Sequence, residues 1–142
     1  GRKLPRDGGR AVMAFFNELS AYLKDNASDE NLKPFIKPMT DALGHLQQAT
    51  LWFMQNAMAK PDNAGAGSTD YMHLFGRVAL GYMWLKMVKA ACDKYPADHA
   101  YRKGKITTAR FYMERILPET ALRLTRIQAG ADSTMELPVE AY

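Results

Sequence analysis

The side chains able to do chemistry in this chain are few and far apart. His45, His73 and His99 fall on three different segments. A metal site inside a helical bundle needs several carboxylates and a Glu-x-x-His pattern on facing helices, and no Glu stands three residues before any of these histidines. They read as surface or packed histidines rather than ligands. Cys92 is the single cysteine, which excludes an intrachain disulfide and a CxxC metal site. Its apolar helical surroundings suit a small core residue, not a nucleophile. Ser20, Ser28, Ser68 and Ser133 lack the strand-turn-helix context of an activated serine. Gly65-Ala66-Gly67 precedes a helical pattern, as a phosphate-binding loop does. No strand leads into it and no Lys-Ser/Thr follows, so it reads as a turn. Glu114 and Glu119 are five residues apart and point in different directions. No catalytic, cofactor-binding or metal-ligating residue is therefore assigned. The nine methionines suit adaptable packing more than redox chemistry.

The elements that position these residues all carry helical periodicity. A first helix is expected from Arg10 to Lys24, with Val12, Phe15, Phe16, Leu19, Tyr22 and Leu23 on one face. Ser28 could cap a brief turn before Pro34. A second helix should start near Pro38, proline being tolerated in a first turn, and reach Ala59. Its stripe is Met39, Leu43, Leu46, Thr50, Phe53 and Ala57, widened by Leu51, Met54 and Met58. Lys60 to Gly67 is expected as a loop, with Ser68 or Thr69 capping a third helix that runs to Lys94. There Leu74, Val78, Gly81, Leu85, Val88 and Cys92 make one stripe, and Met72, Gly76, Ala79, Met83 and Met87 another. A fourth helix should begin after Tyr95–Asp98 or after Gly104. Ile106, Ala109, Met113, Ile116, Leu117, Leu124 and Ile127 face inward, Pro118 kinks or splits the helix, and Gly130 stops it. Arg115, Glu119 and Arg123, four apart, form a surface ion-pair ladder.

Four amphipathic helices with short connections predict an all-α, antiparallel (up-down-up-down) four-helix bundle over residues 10–130, with residues 1–9 as a leading linker and 131–142 as a tail. The second and third helices are too apolar for a fully solvated outer side. Between Tyr71 and Cys92 the charges are only Arg77, Lys86 and Lys89, and a helix apolar all round is covered on more than one side. Trp52, Phe53, Tyr82 and Trp84 are the residues expected at a docking face toward a partner.

With 142 residues, 47% of them hydrophobic and 24% charged, the chain suits one folded domain. Its net charge of +4 is scattered, without the aromatic interleaving of nucleic-acid binders, so no nucleic-acid partner is expected. No apolar stretch is long enough for a signal peptide or a membrane span, and the lone cysteine suits a reducing, cytoplasmic setting. The Gly-Arg-Lys-Leu start, with no initiator methionine, is expected of a fragment and equally of a processed start or a tag scar.

Three stretches carry a family resemblance. They are Gly1-Arg-Lys-Leu-Pro-Arg-Asp-Gly-Gly9, Asn63-Ala-Gly-Ala-Gly-Ser-Thr-Asp-Tyr-Met-His-Leu-Phe-Gly76 continuing to Trp84, and Thr108-Ala-Arg-Phe-Tyr-Met-Glu-Arg-Ile-Leu-Pro-Glu119 continuing to Gly130. With the tail Leu137–Tyr142, they resemble the extra C-terminal domain of bacterial acyl-CoA dehydrogenases of the methylmercaptopropionyl-CoA dehydrogenase-like subgroup. The resemblance implies a parent flavoprotein that uses FAD to oxidise an acyl-CoA to the 2-enoyl-CoA and passes electrons to an electron-transfer flavoprotein. It implies a homo-oligomeric parent whose catalytic glutamate and FAD-binding elements lie upstream, and a segment that binds no cofactor and is inactive alone. Its expected partner is the upstream dehydrogenase domain, and its role is docking, oligomer support or shaping of the substrate entrance. The reading from another class is a free-standing helical protein-interaction module.

Overall fold

The computed structural model describes residues 7–57 and 61–130, with the side chains of all but 7–8, 57 and 61–64. Among the described residues every regular element is helical. Helix α1 spans Asp7–Asp25 and α2 spans Lys33–Trp52, which runs into a π-helical turn at Phe53–Ala57. Helix α3 is the longest, Pro61–Lys94. Helix α4, Ala100–Phe111, passes into a second π-helical turn at Tyr112–Ile116, and α5 covers Glu119–Ala129.

Several boundaries differ from those read in the sequence. Helix α2 begins at Lys33, five residues before Pro38, which lies inside it. Pro34 takes the first turn, where a missing N–H costs nothing, and Pro38 follows four residues later, so the acceptor it leaves idle is the carbonyl of exposed Pro34. The loop expected from Lys60 to Gly67 is helical from Pro61 onward. Ser68 does not cap: its Oγ donates back to the Gly65 carbonyl at 3.2 Å. Gly67 is buried, and a Cβ there would come within 3.0 Å of the Phe53 ring, so tertiary packing overrides the weak helix propensity of this segment. Residues 58–60, where the second helix was expected to end, lie outside the described residues, as do the tail and residues 1–6 of the linker expected at 1–9, whose last three residues, Asp7 to Gly9, belong instead to helix α1.

Helix α4 starts at Ala100 and runs straight through Gly104. His99 caps it, its Nδ1 accepting the Tyr101 N–H at 3.1 Å. Pro118 splits the expected fourth helix: Leu117 N–H bonds back five residues to the Tyr112 carbonyl, and α5 restarts at Glu119. Gly130 ends α5 with a φ of 65°, a conformation that glycine adopts without a Cβ penalty.

Helix α3 is the axis of the packing. Leu74, Val78, Leu85 and Val88 on its inner side are fully buried with Leu19 of α1, Met39 and Leu46 of α2, and Leu117 and Ile127 near the chain end. Thr50 near the end of α2 meets Tyr71 near the start of α3. Gly81 approaches Met39, and Lys89 pairs with Asp29 before α2. An aromatic chain binds α1 to α3, with Phe15 against Phe75 at 5.1 Å and Tyr22 against Tyr82 at 5.2 Å between ring centroids. Such pairs add about 0.5–1.5 kcal/mol beyond area burial.

The two glycines on α3 serve opposite roles. A Cβ at Gly81 would lie 2.5 Å from the Met39 sulfur and 3.5 Å from Leu117, whereas a Cβ at Gly76 meets nothing. Gly76→Ala should raise stability by about 0.5–1 kcal/mol, through helix entropy alone. Gly81→Val should lower it by about 1–3 kcal/mol through overpacking. Urea melts of the two variants check this; the same sign for both would refute the assigned packing.

Candidate functional site

Three features could carry function. The first is a polar lock between α3 and α5. Arg77 Nε donates to Glu119 at 2.9 Å, and Arg123 donates to Asp70 at 2.7 Å and to Glu119 at 3.3 Å. Arg126 stands 3.8 Å from Asp70. The expected Arg115–Glu119–Arg123 ladder is thus only half formed, because Arg115 points into solvent and Glu119 turns toward Arg77 on the neighbouring helix. Tyr112 adds a cross-helix bond, its hydroxyl donating to the Arg77 carbonyl, and burial pushes its pKa up to about 12. The Arg77 hydrogen bond, with Arg123 behind it, holds the Glu119 carboxyl below its usual range. Both carboxylates of this cluster are held by guanidiniums, which ties α5 to α3.

The second feature is a groove of about 340 Å³ between α2 and the α4–α5 junction. Pro38, Ala42, Met113 and Leu117 line its apolar walls, with Lys37 and Asp41 at the rim. Inside it His45 Nδ1 and Thr120 Oγ1 are 2.9 Å apart, and Thr120 is 1% exposed. This pair joins α2 to α5. His73, by contrast, is exposed on α3, and His99 is occupied as the α4 cap. The three histidines are not brought together, and among the described residues no cluster of three metal-capable side chains occurs.

The third feature is the outer side of α3. Met72 is 73% exposed and Met83 51%, with Leu80 also exposed. Gly76, Ala79, Met87 and Ala90 share the same arc. This strip carries no charge and extends about 27 Å, at 1.5 Å per residue over eighteen residues. Of the four residues expected at a docking face, Phe53 and Tyr82 are core members, 4% and 6% exposed. Phe53 is edge-on to Tyr71 at 5.1 Å and Tyr82 packs on Tyr22. Trp52 and Trp84 are half-buried. The methionine stripe, read in the sequence only as a second packing stripe, is an accessible apolar surface. Its signal was the absence of charge between Arg77 and Lys86. Cys92 is half-buried, and burial raises its thiol pKa, which suits an inert packing role. Among the described residues no helix is long and apolar enough to cross a membrane.

The lock and the groove each predict a measurable loss. Glu119 has a folded pKa below its ordinary 4.5, so its stabilising contribution is full above that value and is lost as pH falls through the depressed folded value. Melting temperatures measured from pH 7 downward should drop on acidification, and Glu119→Gln should be less stable at neutral pH with a flatter acid limb. An unchanged limb would show that the lock contributes nothing. Thr120→Val should cost about 1 kcal/mol by leaving His45 without its partner, read by urea denaturation.

Comparison with known proteins places these features in a family. The family model described as "Acetyl-CoA dehydrogenase C-terminal like" matches residues 15–138. The chain is 26% identical over 141 residues to the 3-methylmercaptopropionyl-CoA dehydrogenase of Ruegeria pomeroyi, an alignment covering 95% of this chain and 24% of that protein. The chain thus spans about a quarter of the length of this relative, and a helical domain whose matched segment begins within α1 and runs past the end of α5 belongs to the acetyl-CoA dehydrogenase C-terminal-like family.

Proposed function

We propose that this chain is the accessory helical domain of a larger acyl-CoA dehydrogenase, and that it docks on the dehydrogenase part through the outer face of α3. The observation that carries the reading is the coverage. The alignment takes in nearly the whole chain and only 24% of a relative named as a dehydrogenase. The parent, on this reading, uses FAD held outside this segment to convert an acyl-CoA to the 2-enoyl-CoA, hands electrons to an electron-transfer flavoprotein, works in the cytoplasm and is a homo-oligomer. The segment itself is non-catalytic. The Arg77–Glu119–Arg123–Asp70 lock supports that role, since both of its carboxylates are already held by guanidiniums.

An up-down-up-down order of helices accompanies the proposal. Contacts between α2 and α3 climb one helix as they descend the other, from Thr50–Tyr71 to Met39–Gly81. Those between α3 and the α4–α5 pair do the same, from Gly67–Ile127 to Cys92–Arg102. Helix α1 follows α3 in the same direction, from Phe15–Phe75 to Tyr22–Tyr82.

The uncharged α3 face supports docking because an apolar strip of this length gains from being covered. The double variant Leu80→Asp/Met83→Asp should leave the melting temperature of the isolated chain unchanged, since both side chains are exposed. It should weaken association with the separately produced dehydrogenase part at least about tenfold, read by titration calorimetry. Undiminished association would move the docking surface elsewhere. No association of the unaltered chain would favour the free-standing interaction module.

A further inference from the structure

The groove between α2 and the α4–α5 junction is an apolar hollow that the described helices leave open. Its volume of about 340 Å³ lies in the range of clefts that hold small ligands. Pro38, Ala42, Met113, Leu117 and Ala121 line it. The polar pair inside it, His45 and Thr120, is bonded to itself at 2.9 Å. An apolar occupant therefore breaks no hydrogen bond, and filling the hollow withdraws its apolar walls from water. One end of the groove carries positive charge. Lys37 stands on the rim, and Lys33 lies four residues before it, on the same face of α2. Lys37 reaches Asp41 at 3.1 Å, but these side chains are 84% and 55% exposed, and exposed pairs of this kind hold weakly.

Residues 131–142 follow α5 and lie outside the described residues. Their sequence holds three consecutive apolar residues, Leu137, Pro138 and Val139, between Glu136 and Glu140. The family match runs to residue 138, nine residues past the end of α5 at Ala129, so Leu137 and Pro138 fall within the segment that the family shares. Their reach is sufficient. From Gly130 back to Ala121 along α5 is about 13.5 Å, at 1.5 Å per residue. The residues from Ala131 to Leu137 can span up to about 23 Å when extended.

We propose that Leu137, Pro138 and Val139 seat in this groove as a strap formed by the chain's own tail, with Glu140 brought toward Lys37 and Lys33. A chain running back along α5 meets Ala121 and Pro118 first and Lys37 beyond them. The glutamate that follows the apolar triplet is therefore the one that arrives at the lysines. Proline has a preset φ and no N–H to satisfy, so the triplet gives up little freedom on seating. A tether of six residues, Ala131 to Glu136, holds it at an effective concentration on the order of millimolar, above that of a separate partner in dilute solution. The strap belongs to the chain by itself and does not depend on docking through α3.

The test is nitroxide relaxation in the 142-residue chain, with Ala141→Cys carrying the spin label in a Cys92→Ala background. The amide signals of Ala42, His45 and Ala121 should broaden, and to the same extent at every protein concentration. Leu137→Ser in the labelled chain should restore those signals, and Leu137→Met should leave them broadened. Ala121→Glu, at an exposed position on the groove wall, should also restore the signals of Ala42 and His45. Without any label, a chain ending at Gly130 should melt at least about 2 °C below the full chain. Groove signals left sharp, broadening confined to the outer strip of α3, broadening that fades on dilution as pairing between copies would give, or a shortened chain that melts with the full one would overturn the proposal.

Discussion

The structure depends on covering one long helix. Helix α3 is 34 residues long, and in a folded protein most of a helix's stability comes from burying an apolar face rather than from propensity. Leu74, Val78, Leu85 and Val88 supply the apolar line for that burial. Each neighbour then solves the contact differently. Helix α2 brings Met39 over Gly81 and the Thr50–Tyr71 bond, in which the Thr50 hydroxyl donates to the Leu46 carbonyl and so receives the Tyr71 proton. Helix α1 brings an aromatic chain. Helix α5 brings charge, through Arg123 and Glu119.

This division of labour explains which parts of the fold were legible in the sequence. Stripes of Leu and Val at helical spacing determine the inner side of every helix, and Leu43, Leu46, Val78, Leu85, Leu124 and Ile127 all lie where periodicity puts them. Gly130 and Pro118 act as their backbone chemistry requires. What periodicity does not carry is the third dimension. Gly65 and Gly67 have low helix propensity, and only the Phe53 ring against Gly67 shows why the helix begins earlier. Pro34 and Pro38 both suit a first turn, and local rules cannot choose between them.

The candidate surfaces show the same limit. Large aromatic residues are enriched both in interfaces and in cores, so composition alone could not sort Phe53 and Tyr82, which fill the core, from Trp52 and Trp84, which reach the surface. Thr120 and His45, seventy-five residues apart in sequence, carried no pattern at all. Glu119 was legible as an ion-pair former, while its choice of Arg77 over Arg115 is set by the α3–α5 packing.

The division of methionines between inside and outside gives the molecule an oxidative asymmetry. Met39 is fully buried against Gly81, and Met113 is buried in the core. Met13, Met54, Met72 and Met83 are open to solvent. Conversion of a thioether to its sulfoxide replaces an apolar, pliable side chain with a polar one. Oxidants would therefore reach the outer strip of α3 well before they reached the core, and would erase its apolar character while the fold beneath it stayed intact.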